Sequence, residues 1–213
     1  MDDRVLASMA RWPDLPDVRG WMSLSEQGQW RLHPAGDAWQ SGRPCKPPLA
    51  PGEPIENSQL RSFIDRNYAC DDEGRWYFQN GPQRVYVRLD AAPYILLTGS
   101  APSTLHTHNG LLIERIEGWW LDDRGRLYAE TDHGPGLISG RDAPSVFESL
   151  HTRDGRPLLS QLESLDTFES LDTFESLGEI KGVSFVHGSA ASAPLRFCPA
   201  SEIAQRLGFV PCP

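Results

Sequence analysis

Polar and apolar positions alternate with a period of two in several short stretches of the chain, separated by turn-forming residues. Val85 and Val87 alternate with Arg84, Tyr86 and Arg88. That pattern predicts a strand with one inner and one outer face, because successive strand side chains point to opposite sides. Asn80-Gly81, just ahead of it, is a two-residue turn signal, and Pro93 precedes an apolar strand from Tyr94 to Leu97. Residues 67–78 read NYACDDEGRWYF and residues 118–129 read GWWLDDRGRLYA, aligning without a gap at an offset of 51. Each block holds an aromatic (Tyr68, Trp119), paired acids (Asp71-Asp72, Asp122-Asp123), a Gly-Arg step (Gly74-Arg75, Gly125-Arg126) and a tyrosine (Tyr77, Tyr128). Asp side chains bond their own backbone in turns, and Gly accepts the positive φ that closes a short hairpin. The blocks are therefore predicted to be equivalent hairpins, with Trp76 and Leu127 facing inward. A weaker third copy, GWMSLSEQGQWRL, runs from Gly20 to Leu32 with Gly28 in the turn position.

Helical spacing is rarer. Leu60, Phe63 and Ile64 predict a helix within Ile55–Tyr68, capped by Asn57 or Ser58, and Ser201 caps a short helix over Glu202–Leu207 that Gly208 stops. The Pro- and Gly-rich stretch from Gly36 to Pro54 reads as a loop or linker, and DHGPGLISGRDAP places Gly134-Pro135-Gly136 in a turn. SLDTFE occurs twice in tandem over residues 164–175, and its apolar step of three cannot hold one helix face, so a short duplicated surface segment is expected. The fold class expected is α+β, mostly antiparallel β-hairpins and meanders in two related halves, residues 1–102 and 103–213, with two short helices. The halves could equally form one compact domain.

Composition narrows the functional classes. With 39% hydrophobic and 23% charged residues, the chain of 213 residues is of globular type. A formal net charge of −9 argues against nucleic-acid binding, which draws affinity from Lys and Arg on phosphates, and against anionic membranes. No apolar run approaches the length of about 18 residues that a membrane span needs. The acidic start, MDDRVLASMARWPDLPD, lacks the apolar core of a secretory signal. Cys45, Cys70, Cys198 and Cys212 are scattered without a CxxC pair, so free thiols in a reducing cytoplasm are expected, and a cytoplasmic location with them.

The stretch SFIDRNYACDDEGRWYFQNGPQRVYVRLDAAPYIL (Ser62–Leu96), with its GRWYFQNGPQRVYV core, resembles a proteobacterial family described as a domain of unknown function. WLDDRGRLYAETDHGPGLI, DGRPLLSQL and the C-terminal IAQRLGFVPCP resemble it too, so the likeness spans most of the chain. It implies a cytoplasmic bacterial protein and carries over no catalytic residue.

Candidate chemistry is sparse. There is no GxSxG elbow, no GxxxxGK[ST] phosphate loop and no GxGxxG. The Asp pairs lack the twelve-residue ligand spread of an EF-hand. His106 and His108 are spaced to share one strand face, with Asp132 or His133 as a third ligand, which makes them a weak metal candidate. Arg84, Tyr86 and Arg88, with Arg75 and Gln83, form the stronger candidate: Arg and aromatic side chains on neighbouring strands are what binding surfaces gather. The function expected is a non-enzymatic module that binds a small anionic ligand or a protein, without a cofactor. The alternative is an enzyme of unrecognised class, for instance a metal-dependent hydrolase using the His106/His108 region.

Overall fold

Asp71 and Asp122 close equivalent hairpins, as the aligned blocks predict. Asp71 Oδ1 accepts from the Glu73 and Arg75 amides (3.1 and 3.0 Å) while its Oδ2 takes Arg75 Nε (2.8 Å). Asp122 makes the same three bonds to Arg124 N, Arg126 N and Arg126 Nε (2.9, 2.8 and 2.7 Å). Gly74 and Gly125 both sit at φ +75°, a region that any side chain strains to enter. Trp76 and Leu127, after the turns, are both buried. Ser25 and Gly28 close the weaker third copy with the same backbone pair, Gly28 N to Ser25 O (2.9 Å) and Ser25 N to Gln29 O (3.0 Å).

The computed structural model describes residues 1–12, 15–39, 45, 48–99, 104–152, 154–164, 179–185 and 192–213. The tandem SLDTFE lies outside the described residues except for Ser164. Two compact units divide the chain: Met1–Pro93 with Gly208–Pro213, and Tyr94–Leu207. The first contains α1 (Asp3–Arg11), β1 (Val18–Leu24), β2 (Trp30–Leu32), β3 (Glu53–Pro54), α2 (Ser58–Arg66), β4 (Tyr68–Cys70), β5 (Trp76–Asn80) and β6 (Gln83–Leu89). Its sheet runs β3-β2-β1-β6-β5-β4. Asn57 caps α2 by accepting the Leu60 amide (3.0 Å), as its spacing predicted. The helix packs on one face of the sheet, where Phe63 meets Phe78 edge-to-face at 5.5 Å and Asp65 accepts Trp30 Nε1 at 2.7 Å. Met22, Leu24, Trp30, Trp76, Val85, Val87 and Leu89 fill that face, so the Val85/Val87 pair is inside, as expected.

The second unit contains β7 (Tyr94–Thr98), β8 (Leu105–Thr107), β9 (Ile116–Asp122), β10 (Leu127–Thr131), β11 (Gly134–Ile138), α3 (Ala143–Ser149), β12 (Leu150–His151), α4 (Leu158–Ser164), β13 (Glu179–Phe185), β14 (Ala193–Cys198) and α5 (Ile203–Arg206). Its sheet order is β12-β13-β14-β9-β10-β11-β7-β8. The fold is α+β and its strand pairs are mostly antiparallel, as expected, with differences in detail. Pairs β1–β6, β7–β11 and β9–β14 are parallel, so both sheets are mixed. Helices α1, α3 and α4 add to the two foreseen, and α5 starts at Ile203 with Glu202 rather than Ser201 at its N-cap and no side-chain cap bond. Gly134-Pro135-Gly136 is not a turn but the start of β11; Gly136 pairs with Tyr94, and a Cβ there would overlap the Leu96 side chain.

The cysteine expectation is also overturned in part. Cys45 and Cys212 form a disulfide across a sequence separation of 167, while Cys70 and Cys198 are free. The bond ties the Gly36–Pro54 stretch to the C-terminal residues, which lie on the first unit through Val210 N to Gly74 O (2.9 Å) and Leu89 N to Pro211 O (2.8 Å). Nor is that stretch a loose linker where it is described: Ala38 and Trp39 are buried.

Two stability outcomes follow from these contacts. Gly125→Ala meets no atom within 4 Å, so it should cost only the αL penalty of about 1 kcal/mol. Gly74→Ala, at the same φ, should cost clearly more, because its Cβ would also overlap the Gly208 carbonyl. Equal urea midpoints for the two variants would contradict the packing of residues 208–210 on the turn. Closing a loop of 167 residues removes up to about 5 kcal/mol of unfolded-chain entropy. Reduction, or the double variant Cys45→Ser/Cys212→Ser, should therefore lower Tm by roughly 5–15 °C. An unchanged melt would show that these cysteines do not pair.

Candidate functional site

Register places the site. In β5 and β6, Tyr77 pairs with Tyr86 and Gln79 with Arg84, so these four side chains share the sheet face opposite α2. The tyrosine rings meet edge-to-face at 5.9 Å. Arg84 lies over Tyr77 (4.7 Å), and Arg19 and Arg75 lie over Tyr86 (4.6 and 5.2 Å). Tyr86 donates its hydroxyl to Asp71 Oδ2 at 3.0 Å. Burial works against the Asp71 charge, but the Arg75 amide and guanidinium, Tyr86 and the Glu73 amide outweigh it and hold the carboxyl below its usual range.

The expectation of an open cationic face on Arg84, Tyr86 and Arg88 does not survive. Tyr86 and Arg88 are each only 1% exposed. The Arg88 guanidinium is consumed by Asp90 (2.8 Å) and the carbonyls of Ala38 and Ala50, which fold over this face. Arg75 is taken up by Asp71 and Glu73, and Gln83 donates to the Pro16 carbonyl at 2.9 Å. The alternation misled because it implies one wet face, and here a loop covers it.

Arg84 lines a cleft. The cleft holds about 310 Å³ and is lined by Met9, Leu15, Asp17, Gln79, Pro82 and Arg84. Gln79 is 1% exposed. Its amide N–H donates to Asn67 O (2.8 Å) and its Nε2 to Gly81 O (2.9 Å), while its buried Oε1 has no hydrogen-bond partner in the protein. An acceptor stranded in this way costs about 1–3 kcal/mol until something donates to it. Sequence reasoning missed Asp17 and Gln79. Gln79 stands between two strand residues of opposite face, where a polar side chain reads as solvated.

The histidines do not assemble a metal site. His106 is on β8, but His108 belongs to the turn that Gly110 N closes on Thr107 O (2.8 Å), so the two do not share a strand face. His133 Nε2 lies 3.0 Å from Leu112 O, and Asp132 accepts the Glu114 amide at 3.3 Å. Among the described residues, no group of three or more His, Cys, Asp or Glu side chains is placed to hold a metal ion. Ser23 Oγ lies 2.9 Å from His33 Nε2, and His33 Nδ1 lies 3.5 Å from Asp37, the order of a hydrolase triad. Ser23 and His33 are both buried, and a Cβ at Gly52 would overlap the imidazole, which leaves no room for a substrate carbonyl.

A family model described as "Protein of unknown function (DUF2946)" matches residues 1–213, the whole chain. The chain belongs to this family, DUF2944. None of the curated proteins matches it. Among solved structures, a DUF1285 family protein from Silicibacter pomeroyi DSS-3 is similar at 18% identity, covering 73% of this chain and 88% of that one, with a TM-score of 0.42. A DUF1285 family protein from Shewanella baltica OS155 is similar at 14% identity, covering 59% and 88%, with a TM-score of 0.38. The DUF2944 description assigns no activity, so the chemistry must be argued from the side chains of this chain.

His108 supplies a pH signature. Burial pushes its pKa down to about 3 from the usual 6.5. The residue as a whole is half-buried, but Nε2 is out of solvent and Nδ1 faces the Ile95 amide at 3.4 Å. As pH falls through 6.5 the unfolded chain takes up a proton that the native ring refuses, so stability is lost progressively from there toward pH 3. The slope contributed is at most about 1.4 kcal/mol per pH unit. His108→Asn should flatten the fall in urea midpoint between pH 6.5 and 4.5, above the range where carboxylates protonate. An unaltered profile would mean the ring is solvated.

Proposed function

We propose that this chain is a non-enzymatic binding module that takes a small ligand bearing an anionic group at the Arg84 cleft of the first unit. The observation that carries the reading is Gln79, a lining residue of the cleft whose buried Oε1 has no hydrogen-bond partner in the protein, together with the Arg84 cation in the same lining. The Arg84 guanidinium lies over the Tyr77 ring at 4.7 Å, a contact that reduces the side-chain entropy left to lose on binding. A volume of about 310 Å³ suits a small molecule and falls at the low end of ligand sites. Among the described residues, no gathered ligand set supports the hydrolase alternative at His106/His108.

No helix among the described residues is long and apolar enough to cross a membrane. The Cys45–Cys212 bond fits an oxidising compartment better than the reducing cytoplasm that the cysteine spacing suggested.

Calorimetry with a panel of small carboxylates, phosphates and amino acids tests the reading, with circular dichroism to confirm that variants fold. A panel member that binds the native chain should bind Arg84→Ala at least tenfold more weakly. A ligand whose affinity survives Arg84→Ala would place binding elsewhere, and a panel with no binder at millimolar concentration would remove the reading.

A further inference from the structure

We infer that the ligand of this cleft is a small zwitterion of the α-amino acid class with an apolar side chain. The inference rests on the proposed binding role of the cleft and adds the chemistry of its occupant. The cleft carries both signs of charge, Arg84 and Asp17. Asp17 lies near enough to act on the charges of Arg84 and Tyr86, and the Arg84 guanidinium also interacts with the Tyr86 hydroxyl. Asp17 is exposed, and the five-donor guanidinium of Arg84 keeps N–H groups beyond its contact with Tyr86, so each charge can take a ligand group.

The amide of Gln79 decides between ligand classes. Nε2 gives one of its two N–H groups to Gly81 O, and the atom with no partner is Oε1, which can only accept. A carboxylate or phosphate alone would satisfy Arg84 while setting its lone pairs against Oε1 and Asp17. An amine alone would satisfy Asp17 and Oε1 but leave Arg84 without its anion. An α-amino acid supplies both groups on one carbon. Its ammonium carries three donors, enough to serve the Asp17 carboxylate and Gln79 Oε1 together. Its carboxylate takes the guanidinium of Arg84 in charge-assisted hydrogen bonds.

The remaining wall is apolar. Met9, Leu15 and Pro82 flank the polar end, and a methionine adapts to aliphatic shapes of different branching. The net charge of −9 points the same way: it repels a free anion at long range, whereas a zwitterion carries no net charge to be repelled.

The test is titration calorimetry on the full chain with its disulfide intact, using four probes: L-leucine, 4-methylpentanoate (the acid without the amino group), 3-methylbutylamine (the amine without the carboxylate) and glycine. L-leucine should bind at least tenfold more tightly than each of the other three. Asp17→Asn should weaken L-leucine at least fivefold and leave 4-methylpentanoate unchanged. Gln79→Leu should weaken L-leucine, with circular dichroism and the melt confirming that it folds; Asp17→Asn, at an exposed position, keeps the question decidable if it does not. If 4-methylpentanoate equals L-leucine and loses affinity in Arg84→Ala, the cleft binds anions and the zwitterion inference fails alone. If glycine equals L-leucine, the apolar part of the inference fails. If none of the four binds at millimolar concentration, the inference fails, and the wider panel above decides the binding role separately.

Discussion

One closure recurs at five of this chain's reversals: a glycine amide donates to the carbonyl three residues earlier, and that residue's amide donates to the carbonyl four residues on. It is made by Ser25 with Gly28, Asp71 with Gly74, Thr107 with Gly110, Asp122 with Gly125, and Thr152 with Gly155. In the first four, the side-chain oxygen of the leading residue also catches the amide four residues later. The closure sets strand register, and register decides which side chains share a face. A slip of one residue in the Asp71 turn would carry Tyr77 and Gln79 to the α2 face and bring Trp76 and Phe78 out of it.

Both faces of the first sheet are consequently used. The α2 face is apolar. The other is lined with arginines and tyrosines and still lies largely out of solvent, which is costly unless every charge is bonded. Arg88 meets that condition by donating to Asp90 and to two carbonyls of the Gly36–Pro54 stretch, so the stretch is held down by the charge it covers. Ala38 and Trp39 then pack with Tyr77 and Tyr86, and Cys212 closes over the same cluster. Arg84, at the far end of β6, escapes the cover, and the cleft opens there.

Much of the local structure was legible in the sequence because its causes are local. Asp-Asp-x-Gly, Asn57 ahead of Leu60, and alternating Val85 and Val87 each contain their own physical reason. The parallel pairs β1–β6, β7–β11 and β9–β14 were not legible, since a period of two fixes faces but not strand direction. The pairing of Cys45 with Cys212 was hidden for a similar reason: spacing says nothing about two positions separated by 167 residues. The candidate site was half readable. Arg84 was found by residue type, Arg88 was misjudged because its cover comes from distant sequence, and Gln79 offered no signal because its orphaned oxygen exists only after folding.

The central claim is that these closures, rather than the helices, hold the register on which the cleft depends. Amide hydrogen exchange by NMR on the full chain reads it directly. The amides of Gly74, Arg75, Gly125 and Arg126 should be protected to the same degree as the strand amides of β5 and β10. Exchange at these four amides at open-loop rates, with the strands still protected, would show that the register is held elsewhere and would contradict the account.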